Sequence, residues 1–246
     1  MTQLMVREKP RLGLWLGLGF LAAVLLMLGY GVYQLNDWLE DEQRLPVKAI
    51  RLSGDFQFIS AQDVDRAVRQ NQPGSFFQLD VRQAKADIEA LPWVYRASVR
   101  KDWPNNLQVH LVEQVAVARW NQDMLLNDKA ESFVARVPQG LVLPDLFGPQ
   151  GSEQAALDGY RAMLALLQQS GFSISELVLT ERFAWHVRLN NELELNLGRS
   201  EFIDRLQRFV DIYPLLMQGE RQPEYVDLRY DTGLAVGWKQ TDKQQS

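Results

Sequence analysis

Cysteine is missing altogether from the 246 residues. With it go disulfide staples, thiolate nucleophiles and sulfur-ligated zinc, while an oxidising compartment stays open without being required. Histidine is scarce: His110 and His186 are the only two. Neither has a neighbour at His-x-x-x-His or His-Glu spacing, so a zinc site has no local pair of ligands to begin from. Each stands between apolar residues of an alternating stretch, the pattern of a solvent-facing strand position. Excess positive charge is lacking as well, with 26 basic against 31 acidic residues and a net charge of -5. No field of the kind that holds a phosphate backbone exists, which argues against a nucleic-acid partner. Also missing are a Gly-x-Ser-x-Gly elbow and a Gly-x-x-x-x-Gly-Lys phosphate loop. Carboxylate neighbours such as Glu192 with Glu194, or Asp37 with Glu40, Asp41 and Glu42, read as solvated surface before they read as an acid–base pair. These absences point away from a catalytic site, a metal, a cofactor or a small-molecule substrate. The overall composition, 46% hydrophobic and 23% charged, suits one large or two small globular domains.

Long apolar runs are also rare: there is one. "LGLWLGLGFLAAVLLMLGYGVYQL", residues 12–35, carries no charged side chain and exceeds the roughly 20 residues that cross a hydrocarbon core. A core helix of this length would show a polar stripe, and none appears. A secretory leader has a shorter apolar region and a better small-x-small site than Gly29-Tyr30-Gly31. The pattern predicts an uncleaved membrane span. Arg7, Lys9 and Arg11 precede it and Asp37, Glu40, Asp41 and Glu42 follow, so residues 1–11 are expected to be a cytoplasmic tail. Trp15 at one end and Tyr30, Tyr33 and Trp38 at the other fit interfacial belts. Gly13 and Gly17 form one Gly-x-x-x-Gly pair, a weak signal for helix–helix approach. The rest of the chain then lies beyond the membrane, in the periplasm if the host has two membranes.

That body reads as two parts with an α+β character. "VKAIRLS" alternates as a strand and Gly54 breaks it. Ser60, with Asp63 three residues on, opens a short helix bearing Val64, Ala67 and Val68 on one face. Asp80 caps a second helix carrying Val81, Ala84, Ile88 and Leu91, which Pro92 stops. Two strands, "VYRASVRK" and "NLQVHLVE", follow around the turn formers of "DWPNN". The order is strand, helix, helix, strand, strand over residues 46–114. Residues 115–238 are strand-rich with two helices. "VAVARW" and "ESFVARV" are strand candidates, and "FGPQGS" is a turn before a helix that Ser152 can cap and Gly171 closes. "WHVRLNNELELNLG" is a hairpin about Asn190-Asn191. Residues 200–217 form a helix with Phe202, Leu206, Phe209, Val210 and Tyr213 on its buried face. A last strand region, "YVDLRYDTGLAVGW", places Val226, Leu228 and Tyr230 on one face, breaks at residues 231–233, and resumes with Leu234, Val236 and Trp238. Ala235 and Gly237 lie opposite, small enough to leave the sheet open to an incoming chain. Residues 239–246 read as a disordered tail.

Residues 91–120, "LPWVYRASVRKDWPNNLQVHLVEQVAVARW", resemble the signature block of the bacterial FtsQ/DivIB cell-division family. Similarity continues through "LFGPQGS", "LNNELELNLGR" and "YVDLRYDTGLAVGW", and with the single span it covers nearly the whole chain. The resemblance implies a POTRA domain over residues 46–114 and a C-terminal β domain over 115–238. It also implies an inner-membrane, non-catalytic scaffold at the division septum that holds FtsB and FtsL by β-augmentation. The family's partner-binding edge carries over onto Tyr230, Thr232, Gly233 and Trp238, with Arg182 as a neighbouring cation. From parity alone, Tyr230 and Trp238 are equally well core residues. Arg96 and Val99 map to a second partner surface on the POTRA unit. The sequence departs from the family at residues 127–133, "NDKAESF", where many members have a glycine. Two other readings stand beside this one: a POTRA-type chaperone or transport module, and an anchored hydrolase.

Overall fold

The computed structural model describes residues 12–40, 46–71, 75–219, 221–230 and 232–239. The expected tail 1–11, Asp231 and residues 240–246 lie outside the described residues. Helix α1, Leu12–Glu40, contains the apolar span and runs five residues beyond its expected end, because Asn36–Glu40 contains no helix breaker. Its 29 residues at 1.5 Å rise make about 43 Å, longer than a hydrocarbon core. The stretch Trp15–Asn36 is long and apolar enough to cross a membrane and is not buried against the rest of the protein.

After α1 the chain folds as β1 (Ala49–Ser53), α2 (Ala61–Asn71), α3 (Val81–Glu89), β2 (Val94–Asp102) and β3 (Asn106–Glu113). The expected βααββ order is observed. Its sheet has the order β1-β3-β2, with β1 parallel and β2 antiparallel to the central β3. Val64 and Val68 from α2 and Ala84 and Ile88 from α3 bury on Leu107, Val109 and Leu111. The helix starts form as their residues dictate. Ser60 Oγ accepts from the Asp63 amide at 3.1 Å and donates to its carboxylate at 2.6 Å. Asp80 Oδ1 accepts from the Arg82 amide at 2.8 Å and the Gln83 amide at 3.4 Å.

The chain divides into two compact units between Glu113 and Gln114. The second contains β4 (Ala116–Trp120), β5 (Met124–Asn127), β6 (Ser132–Phe133), β7 (Asp145–Phe147), α4 (Glu153–Leu167), β8 (Ile174–Leu179), β9 (Trp185–Leu189), β10 (Glu194–Gly198), α5 (Phe202–Leu216), β11 (Pro223–Asp227) and β12 (Ala235–Trp238). All nine strands join one sheet in the order β12-β11-β10-β9-β8-β7-β4-β5-β6. Strand register aligns Trp120, Leu146, Leu177, Val187, Leu195, Val226 and Val236 in one inward row. Ala156, Leu157, Met163 and Leu167 of α4 and Leu206 and Phe209 of α5 complete that core. The opposite face carries Arg119, Asp145, Glu176, Arg188, Glu194 and Tyr225 in the parallel row. Half-buried sheets alternate in this way.

Several expectations change. Ser152 precedes α4 but its side chain does not cap it; its Oγ donates to the Pro149 carbonyl at 2.6 Å. The strand read in "ESFVARV" is only Ser132–Phe133. The 189–193 reversal is a three-residue loop in which Glu192 takes φ +67°, the bulged alternative to a two-residue hairpin. In the glycine-free turn, Ala130 itself takes φ +61°. The buried Asn127 holds that turn, its Oδ1 accepting from the Lys129 and Glu131 amides at 2.9 and 2.8 Å.

Candidate functional site

The geometry at the end of the chain follows from a crossover. Strand β10 passes through α5 into β11, which lies parallel beside it; Val226 of β11 and Leu228 just after it are completely buried. After Asp227 the chain reverses and returns from Ala235 as β12, antiparallel to β11. The interruption between β11 and β12 is therefore a reversal between two strands. Strand β12 pairs with β11 on one side and is the terminal strand of the nine. Its other side presents main-chain donors and acceptors with no strand partner among the described residues.

The reversal is held by a side chain the sequence reading missed. Arg208, on α5, donates through Nη1 to the Tyr230 carbonyl at 2.8 Å and the Gly233 carbonyl at 3.1 Å. Its partners lie 22 and 25 residues away, so local patterning carries no trace of them. Below the loop, Asp227 binds Arg229 through two carboxylate oxygens, at 3.0 and 2.7 Å. The Arg229 hydrogen bond holds the Asp227 carboxyl below the usual range, against the opposing effect of burial. Tyr230, 57% exposed, projects from the loop instead of sharing the buried face of Val226 and Leu228; the strand parity ends at Leu228. Thr232 is exposed, while Gly233 and Trp238 are half-buried. Lys239, assigned to the tail, still donates its amide to the Gln222 carbonyl at 3.0 Å.

Gly237 differs from expectation most clearly. A Cβ at this position would fall against the ring of Tyr225 on β11, 2.7 Å from Cζ. The small residue makes room for an aromatic ring of its own sheet, so the surface above Gly237 is covered by Tyr225 and not open.

The nominated residues do not converge on a cavity. Pairing of Trp185 with Leu179 and Gly198, and of Asn196 with Asp227, puts the β8–β9 turn and the β11–β12 loop at one end of the sheet. Arg182, exposed in that turn, therefore shares an end with Tyr230, Thr232 and Gly233, three strands away from β12, or about 14 Å at normal strand spacing. Trp238 pairs with Pro223 at the other end of β12. Four of the five residues border the two ends of the β12 edge, while Arg182 shares only the end of the sheet with three of them. In the first unit, Arg96 and Val99 are both on β2, an edge strand, but face opposite ways: Arg96 is exposed with its guanidinium 5.5 Å from the Tyr95 ring, whereas Val99 packs toward the core. They cannot form one flat patch.

On the polar sheet face, Arg119 pairs with Asp145 at 2.6 Å, and Arg188 bridges Glu176 at 3.2 Å and Glu194 at 2.9 Å. His186 and Asn196 stand opposite each other beside this ladder. Both histidines are exposed, and His110 lies 3.2 Å from Ser53 Oγ. Among the described residues no three His, Asp or Glu side chains gather as metal ligands would.

Residues 45–114 match the FtsQ-type POTRA domain and residues 118–229 match the C-terminal domain of cell division protein FtsQ/DivIB. A relative named cell division protein FtsQ from Shewanella oneidensis is 42% identical over 226 residues, covering 92% of this chain and 86% of the relative. Those of the same name from Escherichia coli and Vibrio cholerae are 39% and 38% identical, covering 94% and 90% of this chain and 86% of each relative. With its α+β architecture, membrane-length first helix, POTRA unit and strand-rich second unit, the chain belongs to the FtsQ/DivIB family of cell-division proteins.

Proposed function

We propose that this chain is a non-catalytic, single-pass scaffold of the bacterial division machinery, and that it holds FtsB and FtsL by accepting a partner strand on β12. The reading rests above all on one observation: β12 is the terminal strand of a nine-stranded sheet, with β11 on only one side. An added strand gains main-chain hydrogen bonds along β12, and the flanking side chains supply selectivity. Tyr230, Thr232 and Gly233 border one end of that edge, Trp238 the other, and Arg182 offers a cation to an acidic residue of the partner. Arg96 and Val99 flank a second edge, β2, on the POTRA unit. The basic residues before α1 support an N-terminus in the cytoplasm and both units in the periplasm, and a role in the division machinery calls for a place at the septum.

Capture of FtsB and FtsL periplasmic segments by the full-length protein in detergent tests this. Tyr230→Ala and Trp238→Ala are expected to lower capture at least about tenfold, as hot-spot aromatics do. Equal capture by both variants, with unfolding unchanged, would sink the edge-strand reading.

A further inference from the structure

The POTRA unit has two poles. Strand β1 starts where the β2–β3 hairpin turns, since the Lys48 amide donates to the Asn105 carbonyl at 2.8 Å. Phe76 and Phe77, on the chain leading into α3, lie at the same pole, because they pack on Trp103 of the hairpin, each with ring centroids 5.3 Å from it. The other pole holds Glu113, whose carboxylate accepts from the Gln57 and Phe58 amides at 2.7 and 2.6 Å. The chain thus arrives from α1 at the first pole and leaves for the second unit at the other.

The first pole is apolar where it meets solvent. Trp103 is 65% and Phe77 37% exposed, while Phe76 beneath them is fully buried. Among described residues 46–113, the only other exposed large apolar side chain is Val112. The two rings are held in place: Phe76 meets both edge-on, and Lys101 Nζ donates to the Phe77 carbonyl at 3.0 Å. This small, fixed aromatic patch lies beside Lys48, eight residues after the end of α1. Eight residues reach at most about 28 Å even when fully extended.

We infer that the Trp103–Phe77 tip contacts lipid: it sits in the interface of the leaflet from which α1 emerges and fixes the POTRA unit against the bilayer. An indole is suited to that zone, with an apolar body for the acyl boundary and an N–H for the headgroups. The inference rests on reading α1 as a membrane span.

Because the chain has no cysteine, single cysteines can be placed without other changes. Full-length Asn105→Cys, Asp55→Cys and Leu26→Cys, each carrying an environment-sensitive NBD label, would be reconstituted in phosphatidylcholine/phosphatidylglycerol vesicles. Lipids with a nitroxide in the headgroup region or deep in the acyl chain would serve as quenchers. The tip label at 105 is expected to lose emission to the headgroup nitroxide, the label at 26 to the deep one, and the far-pole label at 55 to neither. Adding Trp103→Ser, alone or with Phe77→Ser, is expected to abolish quenching at 105 and leave that at 26 intact. A tip label as unquenched as the one at 55, with 26 still quenched, overturns the lipid contact alone. Quenching at 105 that survives loss of both rings does so too. An unquenched label at 26 overturns the span, and the tip contact with it.

Discussion

At Gly159 two effects oppose each other. Alanine is the better residue in a helix by about 1 kcal/mol, and Gly159 lies inside α4. A Cβ there would meet the indole of Trp185, 2.7 Å from Cζ3, and that ring is itself packed on Phe202 at 5.0 Å. Overpacking of this kind costs about 1–3 kcal/mol, so Gly159→Ala is expected to destabilise the second unit in urea unfolding despite its propensity; a net gain would contradict the packing. Asp227 carries a pH signature. Its carboxyl is held below its ordinary value by Arg229, so the stabilisation it contributes is fully present above the unfolded-state pKa, about 3.9. It is lost as pH falls through the folded value. Asp227→Asn is expected to be less stable than wild type at neutral pH, with the gap closing as acid unfolding is followed from about pH 4 downward. Neither residue was legible as important in the sequence. Gly159 owes its role to a tryptophan 26 positions later, and Asp227 forms its pair only once the chain bends after β11.

At the scale of elements, legibility follows period and length. Helices α2 to α5 and the strands β2, β3, β9 and β10 announce themselves because apolar residues repeat over enough positions for the period to emerge. Strands β5, β7 and β8 do not. β5 has three consecutive apolar residues and then Asn127, with no alternation, β7 has three residues, and the register of β8 shifts between Ile174 and Glu176, which breaks the period of two. The site shows the same division. That a strand closes the second unit was readable from "GLAVGW", but its status as a sheet edge depends on which strand lies beside it, and sequence adjacency does not carry that. Strand β12 buries none of its side chains fully, whereas Val226 and Leu228 beside it are wholly buried. Deleting residues 235–246 is therefore expected to lower the unfolding temperature of the second unit by a few degrees only, a cost of about 1–2 kcal/mol, while abolishing capture of FtsB and FtsL. Global unfolding of that unit on deletion would make β12 structural first.

Across the whole molecule, the two units have separate cores with no residue in common. A cavity in one core should then leave the other alone, since distant substitutions act independently. Leu107→Ala, at a position with no exposure, is expected to cost the POTRA unit about 2–5 kcal/mol. Hydrogen exchange would read this as faster exchange within residues 46–113 and unchanged protection in residues 115–238; loosening of both would show that the units stabilise one another. The order of strands in the second unit has a further consequence. β12 rests on β11, β11 on β10, and β11 reaches its place only through α5. Such an edge cannot exist on a half-finished sheet. A partner that recognises it samples only molecules whose second unit is complete, and its apparent affinity falls in proportion to the fraction that is not. Under the strand addition proposed above, recruitment would inspect folding: copies whose second unit is incomplete would be passed over without any separate device to reject them.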